Sequence, residues 1–257
     1  MNRYIEAALR GIIQGLTEFL PVSSSGHLQL MNKLGFAEQN LFFDIMLHIS
    51  TLIVVVIIYR KSIIKIIKKP LQDKAKFIII ASIPTAVLAG IIRYFLYDYS
   101  DKMLPFCFMI TTVILISTKY ANRNKVILKS TNGYTKVALF TGIAQGIASL
   151  SGVSRSGSVI SVLRHTGMEN EESSEMTFLL SIPIIIGSAI IEAICYKGTE
   201  KIVPFEVITA MVFALISGFL AIKTFVKILN KGRIWIFGIY TFLLTIASFY
   251  IIFFVEI

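Results

Sequence analysis

Gln14-Gly15-Leu16-Thr17-Glu18-Phe19-Leu20-Pro21-Val22-Ser23-Ser24-Ser25-Gly26-His27 is the stretch on which the reading of this 257-residue chain turns. It has an ungapped echo 131 residues further on. Gln14-Gly15 matches Gln145-Gly146, Val22-Ser23 matches Val153-Ser154, and Ser25-Gly26 matches Ser156-Gly157. Six identities in thirteen positions exceed what chance gives, even among small residues. The copies differ where chemistry would sit: Glu18 stands against Ser149, Ser24 against Arg155, and His27 against Ser158.

Both copies lie among apolar blocks. The chain is 55% hydrophobic with a mean hydropathy of +0.76, well above soluble domains of this size. Six runs are close to the ~20 residues needed to cross a hydrocarbon core. They are Leu41–Tyr59, Phe77–Leu96, Met103–Thr118 (extending to Ala121), Met176–Tyr196, Ile202–Val226 and Ile234–Val255. The Gly- and Ser-rich stretches Tyr4–Phe36 and Val137–His165 are too uneven to be simple spans. Met1–Gly15 has no long apolar core before a small-residue cleavage site, so no removable signal peptide is expected. Cys107 and Cys195 sit in apolar runs and read as buried thiols rather than a disulfide.

A net charge of +10 raises the question of nucleic acid. The basic residues fall in short loops between spans, which excludes it and sets a topology instead. Arg60, Lys61, Lys65, Lys68, Lys69, Lys74 and Lys76, opposed only by Asp73, mark a cytoplasmic loop. Asp98, Asp101 and Lys102 read as external, and Lys119, Arg123, Lys125, Lys129 and Lys136 as cytoplasmic. The Lys197–Lys201 turn reads as external, and Lys223, Lys227, Lys231 and Arg233 as cytoplasmic. The alternation closes only if Val137–His165 enters and returns on the cytoplasmic side and Tyr4–Phe36 on the external side. Both are therefore expected to be re-entrant helix–loop–helix hairpins, tolerated at membrane depth where protein surrounds them. Three spans separate the copies, and an odd number inverts the second. The expected fold is a single membrane domain over 1–257, all-α, with six transmembrane helices and two re-entrant hairpins. Its inverted-topology repeats are 1–121 (hairpin about 4–36) and 136–257 (hairpin about 137–165).

Ionisable groups at this depth are costly and commonly functional. Glu18 and His27 flank Ser23-Ser24-Ser25-Gly26 in the first hairpin, and Arg155 lies within Ser154–Gly157 in the second. Asp44 and His48, four apart, share a face of the next span. Arg155 offers a planar fork of donors for phosphate oxygens. Ser154, Ser156 and Gly157 surround it at a helix N-terminus, where an anion is favoured. Glu18 and Asp44 are the candidate ligands for a hard divalent cation. Ser23, Ser24, Ser25 and His27 supply nucleophile and acid/base candidates. Together they suit phosphoryl transfer. Each also has a plainer reading. Ser23–Ser25 suit helix capping, Asp44 and His48 can pair with each other, and Gln14 and Gln145 can hydrogen-bond between the hairpins.

The first stretch resembles a signature of the undecaprenyl-pyrophosphate phosphatase family, of the bacitracin-resistance type. That signature has Glu or Gln, three residues, Glu, then Pro-Val-Ser-Ser-Thr/Ser-Gly-His. Ser151–Gly157 resembles the second, Pro-Gly-x-Ser-Arg-Ser-x-x-Thr. Phe43-Asp44, Leu47-His48 and Phe178–Pro183 extend the resemblance along essentially the whole chain. It implies hydrolysis of undecaprenyl pyrophosphate to undecaprenyl phosphate and inorganic phosphate. The reaction would occur at the outer face of the bacterial cytoplasmic membrane, recycling the lipid carrier of cell-wall synthesis. It implies a divalent cation, Mg or Ca, with Gln14 and Glu18 in the acidic-pair position. Arg155 would clamp the pyrophosphate, Ser24 or His27 would attack phosphorus, and Ser23, Ser25, Gly26, Ser154, Ser156 and Gly157 would line the substrate. The expected partner is an isoprenoid pyrophosphate lipid in the membrane, with a homodimer left open. The chain departs from the pattern at Gln14 (uncharged), Ser151 (for Pro) and Val159 (for Thr), with Ser158 the candidate for the missing hydroxyl. A polyprenyl-phosphate transporter, which inverted repeats also suit, is the alternative, and a non-catalytic lipid-binding scaffold a third reading.

The topology has a direct check. A cysteine placed at Lys68 is expected to stay unlabelled when intact cells are treated with a membrane-impermeant thiol reagent, and to react once the membrane is opened. Labelling from outside would reverse the orientation.

Overall fold

In a bilayer an apolar run can satisfy its backbone only internally, so each long run becomes a helix. The computed structural model describes residues 3–36, 41–96, 100–121, 131–195 and 203–255. Among these the chain is all-helical, with ten α-helices: α1 (Arg3–Phe19), α2 (Ser24–Lys33), α3 (Leu41–Lys68), α4 (Asp73–Leu96), α5 (Ser100–Ser117), α6 (Thr131–Ile147), α7 (Arg155–His165), α8 (Asn170–Cys195), α9 (Pro204–Asn230) and α10 (Ile236–Phe254). Six are long and apolar enough to cross a membrane: α3, α4, α5 with the 3₁₀ turn that follows it, α8, α9 and α10. Asp98, Arg123, Lys125, Lys129 and the Lys197–Lys201 turn, used above for topology, lie outside the described residues.

Two helices run well beyond their apolar blocks. The run expected to end at Tyr59 continues as helix through the basic stretch to Lys68, with a kink marked by non-helical angles at Tyr59. Helix α8 likewise begins at Asn170, six residues before its apolar block. Lys, Arg and Glu are good helix formers, so hydropathy marks the part a membrane would cover, while the helix itself runs on.

The Gly- and Ser-rich stretches form two helix–turn–helix units. In the first, α1 and α2 have 17 and 10 residues; in the second, α6 and α7 have 17 and 11. At 1.5 Å per residue, α2 and α7 extend only roughly 15–17 Å, half a hydrocarbon core. Matched residues start both short helices. The Ser23 hydroxyl accepts from Gly26 N at 3.3 Å, and the Ser154 hydroxyl from Gly157 N at 3.0 Å. Each is an N-cap supplying an acceptor to an otherwise orphaned amide.

Packing repeats the same correspondence. Helix α1 lies along α9 and α6 lies along α4, while α5 packs on α10 and α3 on α8. Glycine permits the first two contacts. A Cβ at Gly11 would meet Ala210 O at 2.2 Å, and a Cβ at Gly142 would meet Ala81 O at 2.2 Å. Hydroxyls stitch the same places, Ser217 Oγ donating to Gly11 O at 3.4 Å and Thr85 Oγ1 to Gly142 O at 2.8 Å. With no difference in apolarity between lipid and side chain to drive association, such close backbone approach is what holds membrane helices together. An aromatic cluster fixes the end of α1, where the Phe19 ring packs edge-on against Phe178 at 5.7 Å, and Phe178 against Phe225 at 5.1 Å. Cys107 is buried with a free thiol, as expected; the side chain of Cys195 lies outside the described residues.

The close approach predicts a contrast. Gly11→Leu should lower stability in detergent by about 1–3 kcal/mol or more, because backbone rather than a side-chain tip blocks the new atoms. Gly187→Ala, which meets nothing within 4 Å, should be neutral or stabilising by up to about 1 kcal/mol. Thermal unfolding of both variants beside the parent checks this, and equal Tm values would contradict it.

Candidate functional site

The two helix–turn–helix units meet at their turns. The Ser23 hydroxyl accepts a second hydrogen bond, from Gly152 N at 3.0 Å, and Ser156 Oγ donates to Leu20 O at 3.2 Å. Thr111 of α5 braces the second turn, donating to Gly152 O at 2.7 Å and accepting from Ser154 N at 3.0 Å. The backbone at Ser23 has φ +71°, the one non-glycine in the left-handed region among the described residues. A side chain held there usually reflects an imposed constraint, here the double acceptance by its hydroxyl.

Glu18, at the end of α1, is placed where the turns meet. Its side chain is only 3% exposed, and Arg155 NH2 donates to Oε1 at 2.6 Å. Oε2 accepts from Ser24 Oγ at 2.5 Å and from Gln14 Nε2 at 3.2 Å. A buried carboxylate without partners costs several kcal/mol; three donors offset that here. The N-termini of α2 and α7 face the same space and add partial positive charge. A hollow beside the pair is lined by Thr17, Ser23, Ser24, Ser25, Val153 and Ser154. A second, also bordered by Glu18 and Arg155, is lined by Gln145, Ser156, Thr177 and Ser181. Gln14, Glu18, Ser23, Ser24, Gly26, Ser154, Arg155, Ser156 and Gly157 are thus brought together, with Ser25 at the exposed rim.

His27 makes no hydrogen bond to Ser24 among the described contacts. Its Nδ1 lies 2.6 Å from Ser23 O. A carbonyl only accepts, so Nδ1 carries the hydrogen. Nε2 lies 2.8 Å from Tyr240 Oη in α10. The base next to Ser24 is Glu18 rather than His27.

Two other pairings differ from the alternatives raised by the sequence. Gln14 and Gln145 do not bond between the units in these contacts: Gln14 reaches Glu18 one turn along its own helix, and Gln145 Nε2 lies 3.4 Å from Thr85 Oγ1 of α4. Each amide finds a nearer acceptor than the opposite hairpin offers. The Asp44 carboxylate is held by Arg10 at 3.0 Å, while His48 Nδ1 donates to the Asp44 carbonyl at 2.9 Å. Arg10, 4% exposed and stacked over the Phe43 ring at 4.6 Å, was not singled out in the sequence. Nor was Glu192, whose Oε2 is buried without a hydrogen-bond partner among the described residues. Glu192 lies within electrostatic reach of His48, Asp44, Arg93 and Arg155. A lone carboxylate inside an apolar block was the signal available for it.

A cation cage built by protein alone is not present among the described residues, which hold no group of three or more His, Cys, Asp or Glu suited to a metal. Two oxygen donors lie on adjacent side chains, the Glu18 carboxylate and the Oε1 of Gln14, whose Nε2 bonds that carboxylate; Gln14 Oε1 is buried and has no hydrogen-bond partner among the described residues. They fit an ion whose remaining ligands come from elsewhere.

Six apolar helices, and two short-helix units whose turns meet over a buried carboxylate–guanidinium pair, define a polytopic membrane protein with a polar site inside it. The chain belongs to the family described as Bacitracin resistance protein BacA, whose model matches residues 7–247. A protein of Carboxydothermus hydrogenoformans named undecaprenyl-diphosphatase is 37% identical over 256 residues, covering 96% of each chain. Proteins of the same name from Halothermothrix orenii and Treponema denticola are 36% and 33% identical, over 244 and 255 residues. These alignments cover 92% and 91% of this chain and 93% and 92% of the relatives.

The ion pair predicts non-additive stability. Glu18→Gln and Arg155→Met should each cost about 2 kcal/mol, less than a fully buried pair because Arg155 is 24% exposed. The double variant should cost clearly less than the sum. Denaturation of all four proteins gives the coupling, and simple additivity would mean that the contact contributes nothing.

Proposed function

We propose that this protein hydrolyses undecaprenyl pyrophosphate to undecaprenyl phosphate and inorganic phosphate. The observation that carries the proposal is the position of Glu18, which accepts from Ser24 Oγ at 2.5 Å and from Arg155 at 2.6 Å. Its supports are family membership and relatives named undecaprenyl-diphosphatase; those names do not favour the transporter reading. In the proposed reaction the terminal phosphate takes Arg155 in bidentate contact, against the N-terminus of α7. The anion competes with Glu18 for the guanidinium. Glu18 Oε2, already on the Ser24 hydroxyl, accepts its proton as Ser24 Oγ attacks the terminal phosphorus. The anhydride P–O bond breaks and lipid monophosphate leaves. Water then attacks phosphorus of the phosphoserine, releasing inorganic phosphate and restoring the Ser24 hydroxyl. Ser23, Ser25, Ser154 and Ser156, with the amides of Gly26 and Gly157, line this path. Ser24 is preferred over His27 as the nucleophile because its hydroxyl already touches the carboxylate that takes its proton; His27, with Nδ1 committed to Ser23 O, is left as a general acid or base through Nε2.

A divalent cation, Mg or Ca, belongs to the proposal as one that arrives on the pyrophosphate, with Glu18 and Gln14 Oε1 completing its ligands. When bound it would neutralise phosphate charge. Asp44, the other ligand expected from the sequence, has its Oδ1 on Arg10.

The proposed setting is the bacterial cytoplasmic membrane, with the site open to the outer face. The two short-helix units are proposed to be re-entrant hairpins of inverted repeats over 1–121 and 136–257. The matched serine caps, the matched glycines and the exchange of packing partners, α1 on α9 and α6 on α4, support that reading.

The test is phosphate release by purified protein from a C55 pyrophosphate, with and without chelator. Ser24→Ala should abolish release. Arg155→Lys, which keeps charge but loses the planar fork, should lose about 2–4 kcal/mol of transition-state stabilisation. A folded Ser24→Ala variant with near-parent turnover would rule out the serine, and no release by the parent would rule out the hydrolase.

A further inference from the structure

We propose that Tyr240 is the positioning residue for His27, fixing its ring and serving as hydrogen-bond partner of Nε2 in either protonation state. The inference rests on the site above and adds a residue from α10 to it. Interfacial tyrosines near helix ends are common membrane anchors, but an anchor needs no partner inside the protein. Tyr240 has a specific one. Its hydroxyl lies 2.8 Å from His27 Nε2, and the two rings are stacked at 5.8 Å with an interplanar angle of 10°.

The neighbouring residues hold Tyr240 in that place. A Cβ at Gly238 would meet Ile116 Cγ1 at 2.8 Å, so the start of α10 lies hard against α5. Thr241 Oγ1 is 2.9 Å from Thr112 Oγ1 of the same helix. Both flanks of Tyr240 are therefore pinned to α5. The same helix provides Phe108, whose ring meets His27 edge-on at 5.9 Å and 90°. His27 is held by the Phe108 ring, by the near-parallel Tyr240 ring whose hydroxyl its Nε2 meets, and by the Ser23 carbonyl.

The chemistry of the partner matters. Nδ1 is committed to donating to Ser23 O, so proton exchange falls to Nε2. A carbonyl there would suit only the imidazolium, and an ammonium only the neutral ring. A phenol hydroxyl donates to the lone pair of neutral Nε2 and, after rotation, accepts from Nε2–H. His27 can thus change protonation during turnover without losing its partner or its orientation. The groups in hydrogen-bond or ring contact with His27 among the described residues are Ser23, Phe108 and Tyr240, none of them charged.

Tyr240→Phe keeps the stacked ring and removes only the oxygen. The chain has three histidines, so 15N-histidine labelling resolves His27 in the purified, full-length protein. The expected results are a displaced His27 Nε2 resonance with Nδ1 still protonated, and turnover lowered by at least about tenfold at unchanged KM. In a His27→Ala background the same substitution should cause no further loss. An unchanged Nε2 resonance, or equal losses with and without His27, would overturn the proposal. The resonance is read without substrate, so failure of the hydrolase reading, seen as absent phosphate release by the parent, remains distinguishable from failure of this one.

Discussion

An ion pair between Glu18 and Arg155 joins two segments 137 residues apart at the place where the turns of both helix–turn–helix units meet. Each partner is costly there by itself, because a charge inside a membrane protein needs a compensating one. Their contact makes the pocket nearly neutral, so it can be buried, yet leaves a guanidinium with one hydrogen-bonded carboxylate among the described residues, a contact that an anionic ligand can displace. The surrounding donors follow from this constraint. Ser24 and Gln14 satisfy the second carboxylate oxygen, and the two helix N-termini hold the pair from either side.

Much of this was legible in the sequence. Composition and block length reveal the six apolar helices. The Gln14–His27 stretch and its echo reveal two similar units whose serine and glycine positions cap short helices, as Ser23 and Ser154 do. What the pattern withheld is which polar group meets which. Asp44 and His48 share a helix face, but the Asp44 carboxylate goes to Arg10 on another helix and His48 to a backbone carbonyl. One-dimensional spacing predicts neighbours along a helix and is silent about those across it. Tyr240 was invisible for the same reason, since a tyrosine near the start of an apolar run carries no mark of the histidine 213 residues earlier that it contacts.

The repeat also reaches further than the matched stretch. Gly11 and Gly142 stand at the same 131-residue offset as the polar matches, and both touch partner backbone at 2.2 Å for an added Cβ. A lone glycine in a helix reads as a weak spot until the helix beside it is known. Here each one sets how closely a short unit approaches a long span, and hence where Glu18 and Arg155 end up.

The double role of the Ser23 hydroxyl bears on the order in which the chain can be completed. Its oxygen caps α2 through Gly26 and receives the amide of Gly152, 129 residues downstream. The first unit therefore lacks one of its own fastenings until the ribosome has made the second. At 5–20 residues per second that interval is roughly 6–26 s. Through it Glu18 must wait in the membrane without Arg155, held by Ser24 and Gln14 from its own half. The proximity of those two donors in sequence gives the growing chain a local way to shelter a carboxylate before its lasting counter-ion exists.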